Sequence, residues 1–171
     1  MQDVRRDIRF LIESVLKPET VEHEALVDRF YMDNATLVHP AFTVDGKQKI
    51  ACVLKTWAGS NRKLTPTIHD IIYDPDRQVV FCDFTEHFNH KLFPWTTIDF
   101  RVQTKFYLRG TDHGMKIIKQ EDSFPLEGMM RAHWTIKMLY DNFYLPMSSK
   151  CTDMFINWKS GQPMMRGQST M

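Results

Sequence analysis

The stretch IDFRVQTKFYLRGTDHGMKIIKQEDSF, residues 98–124, decides the fold because apolar and polar residues alternate along most of its length. A period of two is typical of a β-strand that buries one of its faces. The turn-forming residues GTDHG at 110–114 predict a hairpin that joins two antiparallel strands. The same period begins near Leu64, and further strands are predicted over residues 67–73 and 79–88.

Helical periodicity precedes these strands. Apolar residues between positions 4 and 15 recur at the spacing of one helix face. A second helix is predicted to start near residues 18–20, a short strand to cover residues 35–39, and a third helix to cover residues 47–57. Helices followed by adjacent strands with short turns indicate an α+β fold with an antiparallel sheet.

The C-terminal residues return to a helical pattern after Pro125, which predicts a helical extension. A chain of 171 residues suffices for one domain with a well-buried core, and we predict a single domain over residues 1–159. Residues 160–171 are rich in Gly, Pro, Gln and Ser, and we expect a disordered tail there.

The charge composition excludes several classes of partner. Lys and Arg total 22 and Asp and Glu total 21, so the net charge of +1 gives no argument for nucleic acid or for an anionic membrane. The charged start of the chain does not resemble a signal peptide, and no apolar run reaches 18 residues. No P-loop, GxGxxG, GxSxG or HExxH motif is present, so we expect no nucleotide cofactor and no serine-hydrolase mechanism.

The three cysteines are too widely spaced for a disulfide framework or a CxxC metal site. Reduced thiols favour a reducing compartment, and we expect a cytoplasmic protein. His87 and His90 lie three positions apart, so on a strand they point to opposite faces and do not form a metal site. We therefore predict neither a metal nor another cofactor.

Two passages resemble the nuclear transport factor 2-like superfamily, which includes ketosteroid isomerases and SnoaL-like cyclases. Residues 30–40, FYMDNATLVHP, are similar to its F-x-x-D-A-x-x-x-H/D-P passage, and residues 46–50, GKQKI, are similar to its G-x-x-x-I helix start. The resemblance spans roughly residues 3–124. It implies a cone in which a curved sheet wraps the N-terminal helices around a pocket, and relatives commonly dimerise through the sheet.

A closer resemblance is to the largely fungal SigF-like branch of that superfamily. Its Val-His-Pro strand end matches residues 38–40, and its V-H-x-x-x-Y-D pattern is similar to residues 68–74, IHDIIYD. That branch often ends in a strongly apolar C-terminal segment, whereas this chain carries charged residues there. Each charge at a bilayer centre would cost roughly 2.5–3.5 kcal/mol, so we predict no stable membrane insertion. The charged positions are Arg131, His133, Lys137 and Asp141.

The resemblance also suggests which residues carry chemistry. In ketosteroid isomerase the residue before the corresponding proline is a carboxylate general base, and here that position is His39. An imidazole suits proton transfer near neutral pH, although a His-Pro pair can also simply end a strand. Related cyclases and isomerases place an acid or amide on the last strand, where this chain has Gln120 and Asp122. We predict His39 and Asp122 as catalytic residues and Gln120 as a substrate-binding residue.

Alternation along residues 79–88 separates two strand faces but does not say which face is internal. One face turns polar at Asp83, Thr85 and His87, while the other is apolar except for Glu86. The polar face would line the pocket if it looks inward and would be a solvated surface if it looks outward. We carry Asp83 and His87 forward as candidate substrate-binding residues.

Aromatic side chains bury a large area with few rotors and suit the wall of an apolar ligand site. The candidate wall residues are Tyr31, Trp57, Phe106 and Trp134. The apolar connection LFPW at residues 92–95 could form a pocket lid, a dimer contact or a lip that touches a membrane.

The leading functional hypothesis is a cofactor-independent tailoring enzyme, an isomerase, dehydratase or cyclase, with pericyclic closure among the reaction types. We expect its substrate to be an apolar terpenoid or polyketide-like intermediate of fungal secondary metabolism, and we expect a homodimer. The alternatives are a non-catalytic module that binds an apolar ligand or a protein, and a membrane-adjacent protein that keeps only the scaffold.

Overall fold

The computed structural model describes residues 1–17, 22–92, 94–112, 114–124, 138–144 and 146–147. The chain divides into two compact units, Met1–Met129 and Met130–Met171. The described residues of the first unit form three helices and six strands in the order α1 Val4–Val15, α2 His23–Phe30, β1 Tyr31–His39, β2 Phe42–Asp45, α3 Lys47–Ser60, β3 Asn61–Asp74, β4 Val79–His90, β5 Ile98–Thr111 and β6 Gly114–Ser123.

Helix α1 forms where the apolar spacing predicts it. The side chain of Asp3 caps the helix by accepting a hydrogen bond from the Arg6 backbone N–H at 3.1 Å. The apolar residues at helical spacing are buried together against the sheet, which is what an amphipathic helix requires. They are Val4, Ile8, Leu11, Ile12 and Val15.

The passage from α2 to α3 contains more strand than its sequence predicts. Strand β1 begins at Tyr31, directly after α2, and its pairing with β6 shifts register between Tyr31 and Thr36. Residues 42–45, for which no strand was predicted, pair with β1 as β2. Gly46 then adopts a φ of +93°, a conformation that glycine reaches without steric cost, and α3 begins at the next residue. The predicted helix start at 18–20 lies outside the described residues.

The six strands form one open sheet in the order β2-β1-β6-β5-β4-β3. Four of the five neighbouring pairs are antiparallel, as the sequence predicts, and β1 pairs with β6 in parallel, so the sheet is mixed at this one pair. The parallel pair is allowed because α3 and four strands lie between β1 and β6 in the chain, and a parallel pair needs such a long crossover. The α+β class itself is confirmed.

The core lies between the helices and one face of this sheet. Helices α1 and α3 pack against β3 and β1, and α2 packs against α3. Buried side chains from both layers line a cavity near the ends of β1 and β6. In the connection between β4 and β5, Leu92 and Trp95 are exposed, and the predicted lid or dimer contact there stays a prediction.

The second unit is described only in part. A short π-helix covers Tyr140–Tyr144, and Met138, Leu139, Phe143 and Met147 are exposed. Most of the predicted helical extension and the predicted tail lie outside the described residues, so the single-domain boundary stays a prediction. Within the described residues, no helix combines the length and the apolar character needed to cross a membrane.

Candidate functional site

A cavity of about 430 Å³ lies inside the first unit, between the inner sheet face and helices α1 and α3. Its wall is mostly apolar, with phenylalanines from β4, β5 and the end of β6 and aliphatic side chains from α1 and α3. The polar groups that reach it come from the ends of β1 and β6, the middle of β4 and β5, and Trp57 on α3. A few convergent polar groups in an apolar cavity are typical of a small-molecule site.

Asp122 on β6 is the most strongly hydrogen-bonded of these groups. Thr104, its register partner on β5, donates to Oδ1 at 2.8 Å. The Gln120 amide donates to Oδ1 at 2.9 Å and to Oδ2 at 3.2 Å. Burial raises the pKa of Asp122, while these donors and nearby His39 act in the opposite sense. In this cavity, burial therefore opposes ionisation of Asp122, and the hydrogen bonds from Thr104 and Gln120 favour it.

Tyr31 orients the amide that serves Asp122. Its hydroxyl donates to Gln120 Oε1 at 2.5 Å, which leaves the Gln120 NH₂ group directed at the carboxylate. Tyr31 is 2% exposed and Gln120 is 8% exposed. Burial and the charge of Asp122 raise the pKa of Tyr31 well above its usual range, so the phenol stays protonated and continues to donate.

Glu86 on β4 places a second carboxyl group in the same cavity. It is 8% exposed, and the indole Nε1–H of Trp57 donates to its Oε2 at 3.2 Å. Burial, together with the charge of Asp122, raises the pKa of Glu86 to about 7. Two carboxyl groups that share an apolar site cannot both ionise easily, and Asp122 accepts more hydrogen bonds from side-chain donors than Glu86 does.

His39 ends β1 next to the strand position of Asp122, because Val38 pairs with Glu121. Its Nδ1 accepts a hydrogen bond from the Ala41 backbone N–H at 3.2 Å, and its ring stacks on Phe42 with centroids 4.4 Å apart. Burial lowers the pKa of His39, partly opposed by Asp122, so the ring is neutral near pH 7. With Nδ1 used as an acceptor, the neutral ring carries its proton on Nε2 and is a donor rather than a base.

Six of the nine candidate residues from the sequence line this one cavity. They are Tyr31, His39, Trp57, Phe106, Gln120 and Asp122. Trp134 lies outside the described residues.

Asp83 and His87 lie on the opposite face of β4, away from the cavity. Arg101 binds both carboxylate oxygens of Asp83, at 2.9 and 2.5 Å, and lowers its pKa. His87 contacts Asp99 through Nδ1 at 2.6 Å and Thr67 through Nε2 at 2.9 Å. The polar face of β4 therefore looks outward, and Asp83 and His87 do not line the cavity. Strand alternation grouped the residues of each face correctly, but the helices cover the opposite face.

Glu86 is the site residue that sequence reasoning did not select. The available signal was a single carboxyl group on an otherwise apolar strand face, with Val80, Cys82, Phe84 and Phe88 as its companions. A buried charge without a salt-bridge partner is rare, and it often marks a functional group. Among the residues that the structure describes, no group of three or more His, Cys, Asp or Glu side chains could hold a metal ion.

The sequence matches the family described as SigF NTF2-like domain over residues 1–140. No curated protein sequence matches the chain at a significant level.

Solved structures share the fold at low sequence identity. A ketosteroid isomerase-like protein from Catenulispora acidiphila, in complex with trimethylamine, is 16% identical with a TM-score of 0.56 over 71% of this chain and 90% of that one. An NTF2-like protein from Anabaena variabilis is 14% identical with a TM-score of 0.57 over 73% and 88%. The epoxide hydrolase/cyclase-like enzyme SalBIII, of pyran ring formation in salinomycin, is 18% identical with a TM-score of 0.57 over 75% and 97%.

Proposed function

This chain belongs to the SigF NTF2-like domain family, and from that premise we propose that it is a cofactor-independent acid–base enzyme that acts on a small apolar molecule. One observation carries the proposal: Glu86 and Asp122 place two carboxyl groups in one apolar cavity, each with its pKa raised by burial but with different hydrogen-bond donors. Paired carboxyl groups with separated pKa values supply a general acid and a general base at the same pH.

The three polar groups divide the chemistry among them. Asp122, ionised and held by Thr104 and Gln120, is the general base. Glu86, with a pKa of about 7, is the general acid. The Nε2–H of neutral His39 donates a hydrogen bond to an oxygen that gains negative charge as the reaction proceeds. His39 thus keeps a place in the mechanism, but as a donor instead of the base that its position suggested.

The reaction class that fits is proton transfer coupled to isomerisation, dehydration or ring closure. In ring closure, Asp122 removes the proton from an attacking hydroxyl, the new C–O bond forms, and Glu86 gives its proton to the oxygen whose C–O bond breaks. In isomerisation, Asp122 removes a proton from carbon and Glu86 protonates the conjugated system at its other end. Water restores both groups, so neither reaction consumes a co-reactant.

The cavity wall supports an apolar substrate. Phe84, Phe88, Phe100, Phe106 and Phe124 contribute to it, so recognition depends mainly on burial of hydrocarbon surface. We propose a terpenoid or polyketide-like intermediate of a fungal secondary pathway as the substrate class. Support for a cyclase comes from the shared fold of SalBIII, which is itself described as a cyclase-like enzyme of pyran ring formation.

The test uses two probes with the purified chain. One is a hydroxy-epoxide that closes to a pyran, and the other is a β,γ-unsaturated ketone whose conjugated product absorbs in the ultraviolet. Asp122→Asn and Glu86→Gln should each lower the rate by about 10²- to 10⁴-fold on the probe that turns over. The rate should also fall as pH rises through about 7, because Glu86 then loses the proton that it must donate.

His87→Gln is the matched control, because His87 lies on the same strand but on the outer face. It should keep the rate of the unmodified protein. Full activity of Asp122→Asn and Glu86→Gln would show that the site is assigned wrongly. Saturable binding of both probes without turnover of either would instead favour a non-catalytic module that binds apolar ligands, which the mostly apolar wall would also suit.

A further inference from the structure

A second apolar space, a groove of about 480 Å³, lies between β2 and α3. Phe42 and Val44 line it from β2, and Cys52, Val53 and Trp57 line it from α3. Lys49 also lines it. Two hydroxyl groups reach it as well, but both donate to carbonyl oxygens of their own helix: Thr56 to Cys52 at 2.7 Å and Ser60 to Trp57 at 2.8 Å. The groove therefore presents a mainly hydrocarbon surface to whatever occupies it.

The groove and the inner cavity share a wall. Phe42, Val53 and Trp57 line both spaces, so the same three side chains separate the groove from the buried carboxyl groups. Two of them also hold site residues: Trp57 donates to Glu86, and Phe42 stacks on His39. A ligand that passes between these side chains would touch the groups that position both the acid and the donor.

We propose that the substrate is elongated, with its reacting polar end in the inner cavity and an apolar chain that passes Phe42, Val53 and Trp57 into the β2–α3 groove. This inference rests on the proposed function and names the shape of the substrate: an extended hydrocarbon chain that ends in an oxygen function. The shared wall supports this occupant, because the groove lies directly behind the three side chains that a bound chain too long for the inner cavity would meet.

A series of straight-chain alcohols from hexan-1-ol to decan-1-ol measures this directly by calorimetric titration. Each added methylene that leaves water should raise affinity by about fourfold. In the unmodified protein this gain should continue along the series. In Cys52→Trp, whose indole fills the groove, the gain should stop at a shorter chain, while the shortest alcohol keeps its affinity.

Cys52→Ala is the matched control, because it removes the thiol and leaves the groove open. It should follow the unmodified protein along the whole series. If the gain stops at the same chain length in all three proteins, the groove does not take the chain and the inference is wrong. If even the shortest alcohol fails to bind, the inner cavity is not a ligand site, and it is the proposed function that fails.

The thiol of Cys52 gives an independent measurement, since it is exposed on the groove while Cys82 is buried. In a Cys151→Ser background, decan-1-ol should slow the reaction of Cys52 with Ellman's reagent several-fold, and cyclohexanol, confined to the inner cavity, should not. Equal protection by both alcohols would overturn the inference. A Cys52 thiol that is already unreactive without alcohol would also overturn the inference, because a second copy or another part of this chain would then occupy the groove.

Discussion

Glu86 and Asp83 lie on the same strand and are almost equally buried, at 8% and 9% exposure, yet their acidities move in opposite directions. The pKa of Glu86 rises to about 7, whereas the pKa of Asp83 falls. The difference lies in what covers each group. Asp83 is covered by the guanidinium of Arg101, which neutralises it. Glu86 is covered by apolar side chains and one indole N–H.

The two faces of β4 therefore show that exposed area alone does not set the pKa of a carboxyl group, and that the groups covering it matter as well. A carboxylate beneath its own counter-ion contributes to stability, while one beneath hydrocarbon is costly to ionise and holds its proton into the neutral range. Only the second kind is available as a general acid near pH 7. Three substitutions test this contrast.

The largest effect is expected for Glu86→Gln as a function of pH. Because the pKa of Glu86 is raised when folded, the native state binds a proton that the unfolded chain has released. The free energy of unfolding of the unmodified protein should therefore fall, relative to Glu86→Gln, as pH rises from about 4.5 to above 7, by about 3 kcal/mol. Urea unfolding at pH 4.5 and 8 measures it. A difference between the two proteins that does not change with pH would contradict the assignment.

An intermediate effect is expected for Tyr31→Phe. Loss of the hydroxyl leaves Gln120 Oε1 buried without its donor, which should lower the free energy of unfolding by about 1–3 kcal/mol. The amide is then free to turn its NH₂ group away from Asp122, and the pKa of Asp122 should rise further. The basic limb of activity would be unchanged, while the acidic limb of the pH–rate profile should move to higher pH. Lower stability with an unmoved acidic limb would reduce Tyr31 to a purely structural role.

The smallest effect is expected for Asp83→Asn on the outer face. Arg101 is half exposed, so water and salt screen this ion pair, and its loss should lower stability by only about 0–1 kcal/mol. The sign with pH is opposite to that of Glu86. Because the pKa of Asp83 is lowered, its contribution is present above about pH 4 and is lost as pH falls further. Urea unfolding at low and high salt checks this. A much larger fall in the free energy of unfolding, or a loss of activity, would mean that the outer face belongs to the functional site.

Much of the site could be predicted from local sequence. The period-two pattern predicted β4, β5 and β6, and the match of residues 30–40 to the family passage pointed to His39 at a strand end beside the cavity. Gln120 and Asp122 followed from their place on the last strand. The family resemblance placed these residues at strand positions that line the cavity, while the strands themselves could be predicted because side-chain alternation is encoded within a few neighbouring residues.

The role of His39 depended on a short-range hydrogen bond that the residue types alone do not reveal. Its position suggested a base, but the Ala41 N–H occupies Nδ1 and leaves Nε2–H as the group that remains. The raised pKa of Glu86 arises first from its burial in the cavity and then from the charge of Asp122, a residue on a non-adjacent strand. These causes depend on how the helices and strands pack together.

The sequence by itself determined the helices, most of the strands and the composition of each strand face, because side-chain alternation and helical spacing are local properties. Tertiary structure alone decided that β1 lies parallel to β6 and that the Glu86 face of β4 looks inward. Alternation is symmetric with respect to the two faces of a strand. Only the packing of α1 and α3 against the sheet decides which face is internal. That packing places Glu86 in the cavity and leaves Asp83 and His87 outside it.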